Sequence, residues 1–369
     1  MQSITTVFSK LPDPRVERTK QHKLVDIIII CICGTIAGAE GFNEIEDWAK
    51  ARQSWLQKFL DLSNGIPTHD TLNRVFSMIN PRALQEAFLE WLESVNMLLD
   101  HKFVAIDGKT LRRSFDKTKN KGALHLVSAW ATDVNISLGQ VQVSEKSNEI
   151  TAIPELLNFL DLSGAIITID AMGTQKTIAT KIIEKKADYI LALKKNHGDL
   201  YDDVSTYFKL ESDEQFVGMK TVEKDHGRGE TRSFRVTKNI DWFNKKTEWD
   251  GLKSVIELQS SRLTGIGKQT STFYFITSLL FADIELICRG IRSHWSIENK
   301  LHWLLDVTFK EDQSRLRHQI AAQNMAFLRK MAISILTQDT SKKISLKRKR
   351  FLAGIEENYL LDLLNVKLI

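Results

Sequence analysis

Residues 103–107, FVAID, open the run of segments whose reading decides the fold: LHLVSAWA (124–131), ISLGQVQV (136–143), IITID (166–170) and YILAL (189–193) follow in turn. Each is short, apolar or alternating, and bounded by turn-forming residues, which is the pattern of a strand. The first three follow one another directly, whereas residues 150–160 and 174–186 carry apolar side chains at helical spacing between the later ones, and 198–208 do so after the last. This succession predicts a mixed α/β sheet, its first three strands antiparallel and its later ones joined by helical crossovers. It is the strand order of an RNase H-like core.

Outward from that core, residues 23–99 repeat apolar side chains at helical spacing, with breaks at Glu40-Gly41, Ser63-Asn64-Gly65 and Asn80-Pro81, and predict an all-α N-terminal domain of four or five helices. Within it, Thr68 or Asp70 can cap a short helix that carries Asn73 and Arg74 outward. Such a helix after a turn either enters a DNA groove or is a plain member of the bundle. Residues 214–279 alternate again, with turns at 226–229 and 264–267, and predict a strand-rich insertion. Helical spacing returns over 283–307 and 319–337 before the basic run KKISLKRKR (342–350). The expected division is 1–100 helical, 101–213 the first part of the core, 214–280 the insertion, and 281–369 the closing helices with a basic tail.

Composition narrows the function classes. The 369 residues are 43% hydrophobic and 26% charged with 18 Gly and 5 Pro, which excludes disordered and collagen-like chains. The 51 Lys and Arg exceed the 46 Asp and Glu by only 5, weak support for a polyanionic partner. Cys31, Cys33 and Cys288 form no CxxC pair, so neither a disulfide framework nor a structural zinc site is indicated and a reducing cytoplasm fits. The longest apolar run, residues 27–39, is bracketed by Asp26 and Glu40 and falls short of the roughly 18 residues of a membrane span. The first residues lack the pattern of an export signal, so no membrane partner is expected.

The chemistry gathers at strand ends. Asp107 ends the first strand and precedes Gly108, Lys109, Arg112 and Arg113, while Asp170 ends the fourth before Ala171-Met172-Gly173. Carboxyl ends of strands are where sites form in open α/β sheets. Each aspartate alone is as readily a turn former or helix cap; two at equivalent places suggest a pair. The helix around HWSIENKLHW (294–303) offers Glu298 as a third carboxylate, on a face with His294, Trp295, Leu301 and His302, away from free solvent. His294, Glu298 and His302 at four-residue steps could alternatively bind zinc, but three carboxylates suit magnesium. Two hard cations held by carboxylates activate and stabilise the two oxygens of an in-line phosphoryl displacement. Glycoside hydrolysis also pairs carboxylates, but Lys and Arg surround these where sugar-stacking aromatics would be expected. Asp306 and Asp312 are rivals for the third position, and Asn324 and Arg329 on the late helix are read as either functional residues or core packing.

The segments AIDGKTLRRS, EKSNEITAIPELL, IITIDAMGTQ, HGRGETR and HWSIENKLHWLLDVTFKED, in this order and across nearly the whole chain, resemble the H-repeat-associated (ISAs-type) group of bacterial DDE insertion-sequence transposases. HKLVDIIIICICGTIAGAEGFNEIEDWA with NGIPTHDTLNRVF resembles the helical domain associated with that group. The resemblance implies an RNase H-like catalytic core, a metal-binding triad of Asp107, Asp170 and Glu298, and magnesium as the working ion, with manganese able to substitute. Where many relatives place Tyr, Arg and Lys around the glutamate, this chain has Ile291, His294 and Leu305, so phosphate gripping passes to Arg292, Lys300 or His294. Where relatives have Lys-Gly-Asn-Gln after the fifth strand it has Lys194-Lys195-Asn196-His197, with Asn196 expected to cap the next helix and Lys194 to face a phosphate.

The resulting expectation is a DNA transposase that binds the terminal inverted repeats of its element, cleaves the ends and joins the 3′-hydroxyl to target DNA. Its partner is double-stranded DNA, and it works as a homodimer or larger assembly in the cytoplasm, on the nucleoid. Expected DNA contacts are Asn73, Arg74, Lys109, Arg112, Arg113, Lys194, His226, Arg228, Arg232, Arg292, His294 and Lys300, with the basic tail. The competing readings are a domesticated DNA-binding protein that no longer cuts and a metal-dependent nuclease without strand transfer.

Overall fold

The computed structural model describes residues 4–94, 102–115, 121–144, 147–225, 228–264 and 267–364. In chain order the helices α1 (Ile4–Phe8), α2 (Leu24–Ala37), α3 (Phe42–Ala51), α4 (Gln53–Leu56), α5 (His69–Phe76) and α6 (Pro81–Ser94) precede the strands β1 (Phe103–Leu111), β2 (Leu124–Ala131) and β3 (Ile136–Gln142). Then come α7 (Glu149–Phe159), β4 (Ile166–Ile169), α8 (Lys176–Glu184), β5 (Asp188–Leu193) and α9 (Asp199–Leu210). The insertion supplies β6 (Phe216–Asp225), β7 (Arg228–Thr237), β8 (Ser254–Thr264) and β9 (Gly267–Thr277). Last are α10 (Ile284–Ile297), a π-helical turn (Glu298–His302), α11 (Trp303–Val307), α12 (Gln319–Gln338), α13 (Leu346–Ile355) and α14 (Glu357–Leu364).

These elements form two compact units. One gathers Met1–His101, Gly108–Glu145 and Glu298–Ile369; the other gathers Lys102–Asp107 and Lys146–Ile297. The N-terminal helices therefore belong with β2, β3 and the last helices of the chain, and β1 contributes to both units.

In the first unit, α2 is apolar on every side because every side is covered, with Ile27 through Cys33 all buried. Gly34 lets α3 come close: a Cβ there would sit 3.2 Å from Ile45. The α5 helix starts where Thr68 Oγ1 accepts the Thr71 N–H at 3.3 Å, and Pro81 opens α6 where a missing N–H costs nothing. The 20-residue α12 is buried along almost its whole length and packs on β3 and α2. Its polar residues tie the bundle together. Asn324 Nδ2 donates to the Phe76 and Ile79 carbonyls at 2.9 and 3.0 Å, and Arg329 donates to the Glu40 carbonyl at 3.0 Å. Both are core residues.

Part of the basic run is likewise structural. Arg350 is buried on α13 and donates to the carbonyls of Thr35, Ala39 and Thr308 at 3.2, 2.9 and 2.6 Å, satisfying groups around the end of α2 and just past α11. Lys349 is buried and bonds the Leu336 and Asp339 carbonyls. These two cations are corrected from DNA contacts to helix ties; Lys343, Lys347 and Arg348 remain exposed.

In the second unit the strands run β1-β4-β5-β9-β8-β7-β6. β1, β4 and β5 are parallel and β5 through β6 antiparallel, so the insertion extends the core sheet through the β5–β9 pairing. In the first unit the order is β3-β2-β1, with β2 and β3 antiparallel. Strand order and direction are those of a mixed α/β, RNase H-like core. Gly290 carries α10 onto the sheet: a Cβ there would fall 2.5 Å from Ile190 and 3.1 Å from Phe103. Among the described residues no single helix is long and apolar enough to cross a membrane.

Candidate active site

In the second unit, Ile106 of β1 is level with Ile169 of β4, and this is the last pair the two strands make. The next residues are Asp107, still within β1, and Asp170, just past the end of β4, so two half-buried aspartates follow the same pair of adjacent parallel strands. Asp107 does not end its strand, as the sequence suggested: β1 continues to Leu111 beside β2. Only its pairing with β4 ends there. Asp170 Oδ1 accepts the backbone N–H groups of Met172 and Gly173 at 3.0 and 3.3 Å, which fixes the carboxylate and leaves Oδ2 without a protein donor among the described residues. Gly173 is required by crowding, since a Cβ there would meet Ile169 at 2.4 Å and Ile153 at 2.7 Å. His294 Nδ1 lies 3.0 Å from Thr168 Oγ1, two residues before Asp170.

Asn196, expected as a helix cap, donates instead to the Ala171 carbonyl at 3.1 Å, and Gly198 at φ 49° occupies the cap position of α9. Lys194 beside it is exposed.

In the first unit, Glu298 is the first residue of the π-helical turn and His302 the last. Their side chains meet at 2.8 Å between Nδ1 and Oε2. His302 is buried, and burial lowers its pKa against the opposing pull of Glu298. The Glu298 side chain is 68% exposed, so the expectation that it avoids solvent is corrected. That expectation took its apolar neighbours to surround it, whereas Trp295 and Trp303 are themselves exposed.

Lys109, expected on DNA, is occupied. Its ammonium lies 2.7 Å from Asp306, 3.3 Å from Asp312 and 3.4 Å from Glu311, and its side chain is 10% exposed. Burial opposes its charge, but Glu311, Asp306 and Asp312 together hold its pKa above the usual range. The same pairing engages Asp306 and Asp312, the rivals of Glu298. Arg112, 3.2 Å from Asp312, and Arg113 remain exposed.

Arg232 is also withdrawn from solvent, paired with Glu223 at 3.0 Å and with Glu230, which corrects its assignment to DNA. Arg292 reaches Glu223 at 2.8 Å but stays partly exposed, and Lys300 is exposed. His226 and the side chain of Arg228 lie outside the described residues. Arg74 is exposed, whereas Asn73, expected to point outward, is half-buried with its Oδ1 shielded from solvent. It lines a cleft of about 430 Å³ with Phe42, His69, Lys310, Arg315 and Leu316.

Sequence reasoning missed Lys330, whose ammonium is fully buried and donates to Ser128 Oγ and Gln140 Oε1 at 2.6 and 2.7 Å. The signal was there: two adjacent cations, Arg329 and Lys330, in the middle of an apolar helix.

Comparison with known proteins places the chain in a family. A family model described as the transposase DDE domain matches residues 97–335, and one described as DDE_Tnp_1-associated matches residues 5–92. YncI of Escherichia coli O157:H7 is 42% identical over 99% of this chain and 95% of its own length. The H repeat-associated YhhI of Escherichia coli K12 is 42% identical over 97% of this chain and 96% of its own. Both are named as transposases. Among solved structures, a piggyBac transposase synaptic complex with hairpin DNA aligns at a TM-score of 0.43 and 9% identity, over 98% of this chain and 77% of that one. With the DDE model spanning most of its length and these relatives matching it end to end, the chain belongs to the DDE transposase family, beside the H repeat-associated proteins.

Proposed function

We propose that this chain binds the terminal inverted repeats of an insertion sequence, cleaves its ends and joins each freed 3′-hydroxyl to target DNA. The observation that carries the reading is the placement of Asp107 and Asp170 directly after the last β1–β4 pair. With Glu298 as third member they form an all-oxygen, anionic donor set, which suits a hard divalent cation better than zinc. The hold on Asp170 Oδ1 by two backbone N–H groups fits that role, because it fixes the carboxylate and leaves the other oxygen without a protein donor among the described residues. Magnesium, or manganese in its place, supplies Lewis-acid activation of the attacking oxygen and offsets charge on the leaving one.

In cleavage, water attacks an end phosphate and the bond to the 3′ oxygen breaks, releasing a 3′-hydroxyl. In joining, that hydroxyl attacks a target phosphate, and a target 3′ oxygen leaves. The exposed cations Arg74, Arg112, Arg113, Lys194 and Lys300, with Arg292, grip phosphates, and Arg74 also reads the repeat. The working form is a homodimer or larger assembly on DNA in the bacterial cytoplasm. The test is magnesium-dependent nicking of the element's own end DNA by the purified protein. Binding without nicking would favour the domesticated binder, and nicking without joining the plain nuclease.

A further inference from the structure

Glu298 and His302 are the first and last residues of the π-helical turn, so the irregularity in the helix is bounded by a pair that meets at 2.8 Å. Short π-helical turns are rare and recur at functional sites. The residue at position 302 is also a poor choice for packing alone. It sits between Leu301 and Leu305, both fully buried, where an apolar side chain would fill the space without burying a polar ring. Its partner, by contrast, is 68% exposed, and a bond to an exposed carboxylate adds little to stability.

We propose that His302 is a positioning residue for Glu298: it fixes one carboxylate oxygen so that the other is presented to a divalent cation in a single orientation. An ionised carboxylate only accepts, so the ring Nδ1–H is the donor. Left unheld, an exposed glutamate side chain samples many rotamers and must be ordered each time it takes an ion. A buried imidazole, locked by its packing, removes that freedom beforehand, as outer partners of metal-binding carboxylates do elsewhere. The inference rests on the reading of Glu298 as a metal-holding residue.

The test uses full-length protein and manganese alone as probe, counting free ion by electron paramagnetic resonance, beside urea unfolding of each variant. His302→Leu should keep an unfolding midpoint near that of the unmodified protein yet bind manganese about 10- to 100-fold more weakly. His302→Gln, whose amide can still donate, should recover part of the loss. Glu298→Gln should weaken binding too, and adding His302→Leu to it should change little further. Unchanged affinity in His302→Leu, with a loss in Glu298→Gln, would overturn the positioning role and leave the reading of Glu298 standing. Unchanged affinity in Glu298→Gln would overturn that reading and the inference with it. A full further loss in the double variant would show that His302 does not act through Glu298. Should His302→Leu fail to fold, His302→Asn, polar but too short for the contact, takes its place under the same outcomes.

Discussion

Lys330 gives the sharpest prediction about the fold. Its ammonium is fully buried on α12, its two bonds go to neutral oxygens of Ser128 and Gln140, and burial brings its pKa from 10.5 down to about 8. In the unfolded chain the ordinary value returns. Between pH 8 and 10.5 the unfolded chain holds a proton that the folded one has released, so stability rises with pH across this window. Below about pH 8 both states are protonated, and the cost of burying the charge is present in full. A shift of between two and three units corresponds to about 3 kcal/mol. Lys330→Met removes the titration and leaves Ser128 and Gln140 short of a donor, at about 1–3 kcal/mol. The variant should therefore match or exceed the unmodified protein in stability at pH 7 and fall behind by up to about 2 kcal/mol at pH 10. Urea denaturation of the two proteins side by side at pH 7, 8, 9 and 10 measures the difference, which cancels the other groups that titrate there. A difference independent of pH would refute the reasoning.

Three further outcomes follow from the packing and the surface. Gly173→Ala should destabilise by about 1–3 kcal/mol through contact with Ile169 and Ile153, and should lower nicking more than end binding because the N–H that holds Asp170 moves; a hydrogen-exchange and nicking comparison checks both. Arg350→Met should cost about 3 kcal/mol through its three lost carbonyl bonds, whereas Lys347→Ala with Arg348→Ala should leave the melting temperature unchanged. Affinity for end DNA should fall steeply with salt, and Arg112→Ala with Arg113→Ala should reduce the logarithmic salt slope by about 2, whereas a slope unchanged by the pair would take them off the phosphates.

Much of the core could be read from sequence because it rests on local pattern. The runs at 124–131 and 166–169 were legible since both lie in strands whose period and flanking turns are self-contained. The extension of β1 over Gly108–Leu111 was not legible, because the polar GKTL stretch becomes a strand only by lying beside β2. The aspartates stood out by equivalent placement, which needs no long-range information. What failed was the fate of single charges. Lys109 finds its carboxylates nearly two hundred residues away in the chain, and Arg350 caps a helix end more than three hundred residues before it. Spacing carries no trace of such partners. The four-residue spacing did pair Glu298 with His302, but it carries no trace of whether that face is covered, and Trp295 on it is exposed.

The most direct test of the account compares Asp107→Asn, Asp170→Asn and Glu298→Gln with the unmodified protein for binding and for magnesium-dependent nicking of its own end DNA. Each substitution keeps size and removes one charge and one metal-facing oxygen. Losing a well-placed ion removes several kcal/mol of transition-state stabilisation, so nicking should fall on the order of a thousandfold or more while end binding changes little. Undiminished nicking by any one of the three variants would contradict the account for that residue, and undiminished nicking by all three would contradict it altogether.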